Sequence, residues 1–142
     1  MNRFFSTASL NQESGIAVVR VITGLLLVYH GWEVLDATKM NEYAGWDSLK
    51  NTPAPLLMTY LGKGGELLVG VMLVVGLLTR LASLLLMGIM AYIIFFIGHG
   101  KIWYEDQHPF LFVLLAVVFF VSGSGKWSID TQLGLGKKAR RR

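Results

Sequence analysis

Apolar residues along the chain gather into four blocks separated by polar connections. The first runs from about Gly15 to Leu35 (GIAVVRVITGLLLVYHGWEVL), the second from about Leu56 to Leu78, the third from about Leu81 to Ile97 and the fourth from about Pro109 to Val121. The first two reach the ~20 residues a helix needs to cross a bilayer core, and flanking residues complete the other two. A helix satisfies its own backbone in lipid, so the pattern predicts an all-α integral membrane four-helix bundle with antiparallel spans. A soluble helical core would need polar faces at helical spacing, and residues 81–97 present none. The first block is too long for a signal core, carries Arg20 and lacks a small-residue cleavage site, so it is expected to stay in the mature protein.

The connections refine this picture. Thr79-Arg80 is expected to be a tight turn that makes blocks two and three a hairpin. Residues 98–108 (GHGKIWYEDQH) form a polar loop, and Pro109 suits the first turn of the fourth helix. Within the long connection 36–55, the stretch from Met40 to Trp46 is expected to form a short interfacial helix, and Pro53 and Pro55 restart the chain before span two. Tyr43, Trp46, Trp103, Tyr104 and Trp127 lie near span ends, where aromatic rings favour the headgroup level. Gly123 and Gly125 are expected to stop helix four.

Composition agrees. Of 142 residues, 54% are hydrophobic and only 15% charged, with a mean hydropathy of +0.53. Such a chain cannot stay solvated as a disordered one, nor cover its apolar volume as a small soluble domain. The absence of cysteine excludes disulfides, iron–sulfur clusters and thiol chemistry carried by this chain. Thirteen Lys and Arg against nine Asp and Glu give a net charge of +4. With four spans the termini share a side, which holds Arg3, Arg80, Lys126, Lys137, Lys138, Arg140, Arg141 and Arg142; the other side holds Lys39, Lys50 and Lys101. The positive-inside rule then places both termini in the cytoplasm, and the expected location is the plasma (inner) membrane. All of this asymmetry comes from the terminal run KKARRR; without it the two sides hold three each. The run suits anionic lipid headgroups, and nothing beside it resembles a nucleic-acid-binding module, so no nucleic-acid partner is expected. Residues 1–131 are expected to form the membrane domain and 132–142 a basic cytoplasmic tail.

Ionisable residues inside spans are costly and face the bundle interior, which makes them the first candidates for function. Span one carries Arg20, His30 and Glu33; span two carries Lys63 and Glu66; His99 and His108 bracket the second outer loop. At ~1.5 Å per residue, His30 lies roughly 7 Å and Lys63 roughly 6 Å outside the midplane, with Glu66 near it and Glu33 roughly 12 Å out. His30/Glu33 and Lys63/Glu66 are each i,i+3 neighbours on one helix face. His30, Glu33, Lys63, Glu66 and His99 therefore become ligand-binding or proton-handling candidates in the outer half of the bundle. Three readings compete: a purely structural ion network with Lys63 on Glu66 or Glu33; a redox or proton-handling pocket for a quinone; and a metal or haem site using His30, Glu33, Glu66, His99 or His108. The glycines of Gly62-Lys63-Gly64-Gly65-Glu66 permit either close packing or local unwinding of span two. On the inner side, Arg20 and Arg80 are expected to find Asp130, in GSGKWSID, as a structural ion pair.

Arg20 with Gly24, His30-Gly31, the segment GELLVGVMLVVGLLTR at residues 65–80 and GSGKWSID at residues 123–130 together resemble the DoxX family of small four-span membrane proteins. The resemblance covers about residues 15–131. Where family members often have Pro between the exit glycines, this chain has Ser124. The resemblance implies a membrane protein linked to redox processes: its relatives include a subunit of a thiosulfate:quinone oxidoreductase and partners of detoxifying enzymes in membrane oxidoreductase complexes. The expectation is a membrane subunit of a redox complex, enzymatic or not, with lipids, protein subunits and a second copy of the chain as partners. The alternative is a scaffold or assembly factor whose buried charges are structural.

Overall fold

A computed structural model of the chain describes residues 11–135, which are helical with no strand among them. Arg3 and the run KKARRR lie outside the described residues. Helix α1 (Gln12–Gly31) continues through one 3-10 turn, Trp32–Leu35; a short helix α2 (Ala37–Ala44) follows. Helices α3 (Pro55–Val75) and α4 (Thr79–Tyr92) come next, and α4 ends in a π-helical turn, Ile93–Ile97. Helix α5 (Gln107–Ser122) and a single turn, α6 (Ile129–Gln132), complete the described chain.

Three stretches are long and apolar enough to cross a membrane: Gln12–Leu35, Pro55–Val75 and Thr79–Ile97, of 24, 21 and 19 residues. The fourth, α5, has 16 residues, or about 24 Å at the usual rise, somewhat short of a core of about 30 Å. Outward faces are apolar on every span, with Ile22 and Leu25 on α1, Leu61 and Leu68 on α3, Leu84 on α4 and Val121 on α5 all exposed. Soluble proteins do not leave such continuous apolar surface bare; a bilayer covers it.

Inward positions recur at helical spacing. Ala82, Leu86 and Met90 on α4 face Phe112, Ala116 and Phe119 on α5, and Leu27, Val69 and Leu73 close the core from α1 and α3. Between α1 and α3 the contact is made by backbone. A Cβ on Gly24 would stand 2.8 Å from the Gly70 carbonyl, one on Gly70 would stand 2.7 Å from the Val28 nitrogen, and one on Gly31 would strike the backbone of Leu67. Lipid tails are as apolar as leucine, so close packing of this kind supplies much of the attraction between spans.

The turn between α3 and α4 is Gly76–Leu78, and Thr79 and Arg80 already belong to α4. This corrects the expected turn at Thr79-Arg80. Gly76 and Leu78 both adopt left-handed backbone (φ 68° and 47°), and Asp130 explains why the strained Leu78 is tolerated. Its carboxylate accepts the Leu78 and Thr79 N–H groups at 2.7 and 2.8 Å, capping the start of α4. An anion at a helix N-terminus is favoured by the helix dipole.

Asp130 therefore does not form the expected ion pair with Arg20 or Arg80. Arg80 is exposed, and Arg20, with no exposed surface, spends its guanidinium on carbonyls. It donates to Leu73 and to Val74 (3.3 Å) at the end of α3, and to Ser124 (2.9 Å) and Trp127 (3.0 Å) in the segment leaving α5. A cation among carbonyls orphaned at helix C-termini satisfies both hydrogen-bonding and dipole demands.

Two substitutions test this packing. Gly31→Leu is expected to destabilise the protein in a detergent unfolding titration by about 1–3 kcal/mol or more, whereas Gly15→Leu, with open space around its Cβ direction, changes little. Arg20→Lys keeps the charge but cannot reach all four carbonyls, each of which costs about 1–3 kcal/mol when left bare. An unchanged unfolding midpoint for Arg20→Lys would contradict the capping role.

Candidate functional site

At the end of the bundle away from Arg20, the four spans enclose a cavity of about 270 Å³. Leu27 and His30 reach it from α1, Gly62, Lys63 and Glu66 from α3, Met90 and Ile93 from α4 and its π turn, and His108 and Phe112 from α5. Helix α2 and the residues after it form a roof of Tyr43, Trp46 and Leu49. Asp36 starts α2 by accepting the Thr38 and Lys39 N–H groups, and buried Met40 seats it. Tyr43 thus turns inward, where the sequence suggested a headgroup anchor.

A chain of charges runs into this cavity. Lys39 Nζ lies 2.8 Å from Glu33 Oε1, Lys63 Nζ lies 3.1 Å from Glu33 Oε2, and the same Nζ lies 3.2 Å from Glu66 Oε2. The Tyr43 hydroxyl donates to Glu33 at 2.9 Å, and Lys63 also sits 5.5 Å from the centre of the Tyr43 ring. Glu33 and Glu66 share Lys63, so the network ties α1, α2 and α3 together. The hydrogen bond to Glu33 raises the Lys39 ammonium above its ordinary range. Burial, then the bond to Glu33, raises the Tyr43 phenol, which stays a neutral donor at physiological pH. Glu66, 6% exposed, lines the cavity, and its Oε2 takes the hydrogen bond from Lys63.

His30 and His108 meet edge-to-face with ring centroids 5.9 Å apart. Neither imidazole is tied by a hydrogen bond to another described residue, so their ring nitrogens are open to whatever enters. Polar groups that converge on an otherwise apolar cavity are the usual makings of a small-molecule site.

The other sequence candidates are placed differently. His99 is exposed and outside the cavity lining, a correction to its place among the pocket residues. The reason lies in the loop: Gly98 ends the π turn, and buried Asp106 accepts the backbone N–H of His99 and Lys101, which pins that segment outside the bundle. Among the described residues no three His, Asp or Glu side chains gather as metal ligands. A three-ligand metal site on His30, Glu33, Glu66, His99 and His108 is therefore not assembled among them, since lysine holds both glutamates and His99 is displaced. Helix α3 is unbroken through Gly62–Gly65, so those glycines do not unwind it. Gly65 is packed against Ile89, whereas a Cβ on Gly62 would meet nothing within 4 Å. Sequence reasoning missed Tyr43 and Trp46 as cavity residues and Asp106 as the organiser of the loop; the i,i+3 pair Met40/Tyr43 was the available sign of an inward face on α2.

A lipid-covered helical bundle with a largely apolar cavity near one end, into which a few ionisable groups converge, defines a small multi-span membrane protein. Within that class, the DoxX family model matches residues 15–99, well over half of the chain, and the chain belongs to the DoxX family. The match runs from the start of α1 past the π turn of α4; α5 and the exit segment lie beyond it. No curated protein and no solved structure matches the chain.

The shared lysine generates a double-mutant test. Lys63→Met leaves two carboxylates short of a partner, and adding Glu66→Gln relieves the buried one. The pair is expected to show a coupling energy of about 1–3 kcal/mol in unfolding titrations, the double variant being more stable than additivity allows. Strict additivity would mean that Lys63 and Glu66 do not interact.

Proposed function

We propose that this protein is a membrane subunit of a redox complex in the plasma membrane and that its cavity binds a quinone-like molecule. The observation that carries the proposal is the pair of untied imidazoles, His30 and His108, beside the Lys63–Glu66 pair in an otherwise apolar chamber. The redox part rests on the family resemblance; the residues supply the ligand chemistry.

The fit can be argued from the lining. A flat ring with carbonyl oxygens needs apolar walls and a few donors, which Leu27, Met90 and Phe112 on one hand and the imidazoles on the other provide. A bound quinone would supply two-electron, two-proton chemistry. The chain's own residues hold its head, exclude bulk water beneath the Tyr43–Trp46 roof, and present Glu66 and the imidazoles as groups able to take or give a proton. The scaffold alternative draws support from the same ions, since Lys63 also pins α1 and α2 onto α3.

Binding separates the two. Titration of decylubiquinone into the protein in lipid nanodiscs is expected to quench tryptophan fluorescence saturably, with Trp46 as the reporting cavity residue. His30→Leu and Glu66→Gln are each expected to weaken binding about tenfold or more, the equivalent of one lost hydrogen bond to the ligand, with the unfolding midpoint of His30→Leu unchanged. Absence of saturable quenching, or equal binding by both variants, would sink the quinone reading and favour the scaffold.

A further inference from the structure

We propose that the cavity has its mouth in the bilayer, between α3 and the π-helical end of α4, so that its ligand is an amphiphile that enters sideways from the membrane. This deepens the reading of the cavity as a ligand site and rests on it. Three features of the two helices point the same way.

The first is how the helices part. They leave the Gly76–Leu78 turn packed together, and at Gly65 a Cβ would stand only 2.8 Å from Ile89. One turn nearer the cavity, Gly62 faces open space. The second is the identity of the rim. Met58 on α3 and Tyr92 on α4 both line the cavity and keep substantial exposed surface (37% and 38%). Gly62 lies seven residues inside the start of α3 and Tyr92 five residues from the end of the π turn, about 10 and 8 Å along their helices. That depth puts the gap within the apolar part of the spans. The third is the π turn itself. Ile93 and Ile97 at its two ends line the cavity, while Phe95 and Phe96 are exposed. Irregular helical turns of this type concentrate at functional sites.

Such a mouth selects for chemistry. A molecule dissolved in the bilayer can pass between Met58 and Tyr92, seat a compact polar head near Lys63, Glu66 and the imidazoles, and leave an apolar tail among the lipids. Water-borne ions and sugars meet the roof of Tyr43, Trp46 and Leu49 instead.

The chain has no cysteine, so single thiols report access cleanly. Gly62→Cys has room for its side chain, and Thr59→Cys, near-isosteric and also on the cavity wall, serves if Gly62→Cys folds poorly. In nanodiscs, a decyl-chain maleimide that partitions into lipid is expected to label these thiols about tenfold faster than a sulfonated maleimide confined to water, and about tenfold faster than it labels the buried control Ala116→Cys. Faster labelling by the sulfonated reagent would place the mouth in water, and labelling no faster than at Ala116→Cys would mean there is no mouth; either result overturns the proposal. Protection by decylubiquinone tests the quinone reading separately: fast lipid-phase labelling without protection would leave the lateral mouth standing and remove the quinone.

Discussion

Hydrocarbon cannot solvate a polar group, and nearly every feature of this bundle follows from that one demand. Arg20 is fully enclosed, yet its charge is spread over carbonyls that α3 and the exit from α5 would otherwise leave bare. Asp130 does the complementary service for the N–H groups that open α4. The two residues sit near one another at the same end of the bundle, each on helix termini of the matching polarity. The exit segment GSGKWSID is thus a clasp of backbone hydrogen bonds, with Ser128 buried among the hydroxyls of Ser124 and Thr131.

The opposite end meets the same demand with side chains. There α1 and α3 still touch backbone to backbone at Gly31 and Leu67, and the cavity between the spans is walled by apolar side chains with a few ionisable groups among them. Lys63 is the pivot, since it satisfies Glu33 near the surface and Glu66 at depth. The network leaves the two imidazoles without a hydrogen-bond partner among the described residues, and these with Glu66 are the groups the proposed ligand would meet.

Three of the spans were legible because a lipid-facing helix must be apolar along its whole length, which leaves a block of about 20 residues; α5, with 16 residues, falls short of that length. The convergence of His30, Lys63 and Glu66 was legible too, since residue count fixes depth on a straight helix. Positions governed by irregular backbone were not. The turn moved from Thr79-Arg80 to Gly76–Leu78 because a carboxylate some 50 residues away stabilises left-handed Leu78, and nothing local in the sequence announces that. His99 left the pocket for a similar reason, its backbone being held by Asp106. Asp130 was expected to pair with a guanidinium, and its half-buried carboxylate instead hydrogen-bonds two backbone N–H groups at the start of α4.

The account stands on Lys63 lying between two carboxylates within the membrane. Rotational-echo double-resonance NMR on protein in bilayers, with ¹⁵N at lysine side chains and ¹³C at glutamate carboxyls, measures this directly, and Lys63→Met identifies the signal. The structure predicts strong dephasing from a Lys63 nitrogen 3.1 Å from a Glu33 oxygen and 3.2 Å from a Glu66 oxygen, reduced but not abolished by Glu33→Gln. A Lys63 signal that shows no dephasing from Glu66 would place the lysine outside the shared interior and contradict the arrangement on which the cavity depends.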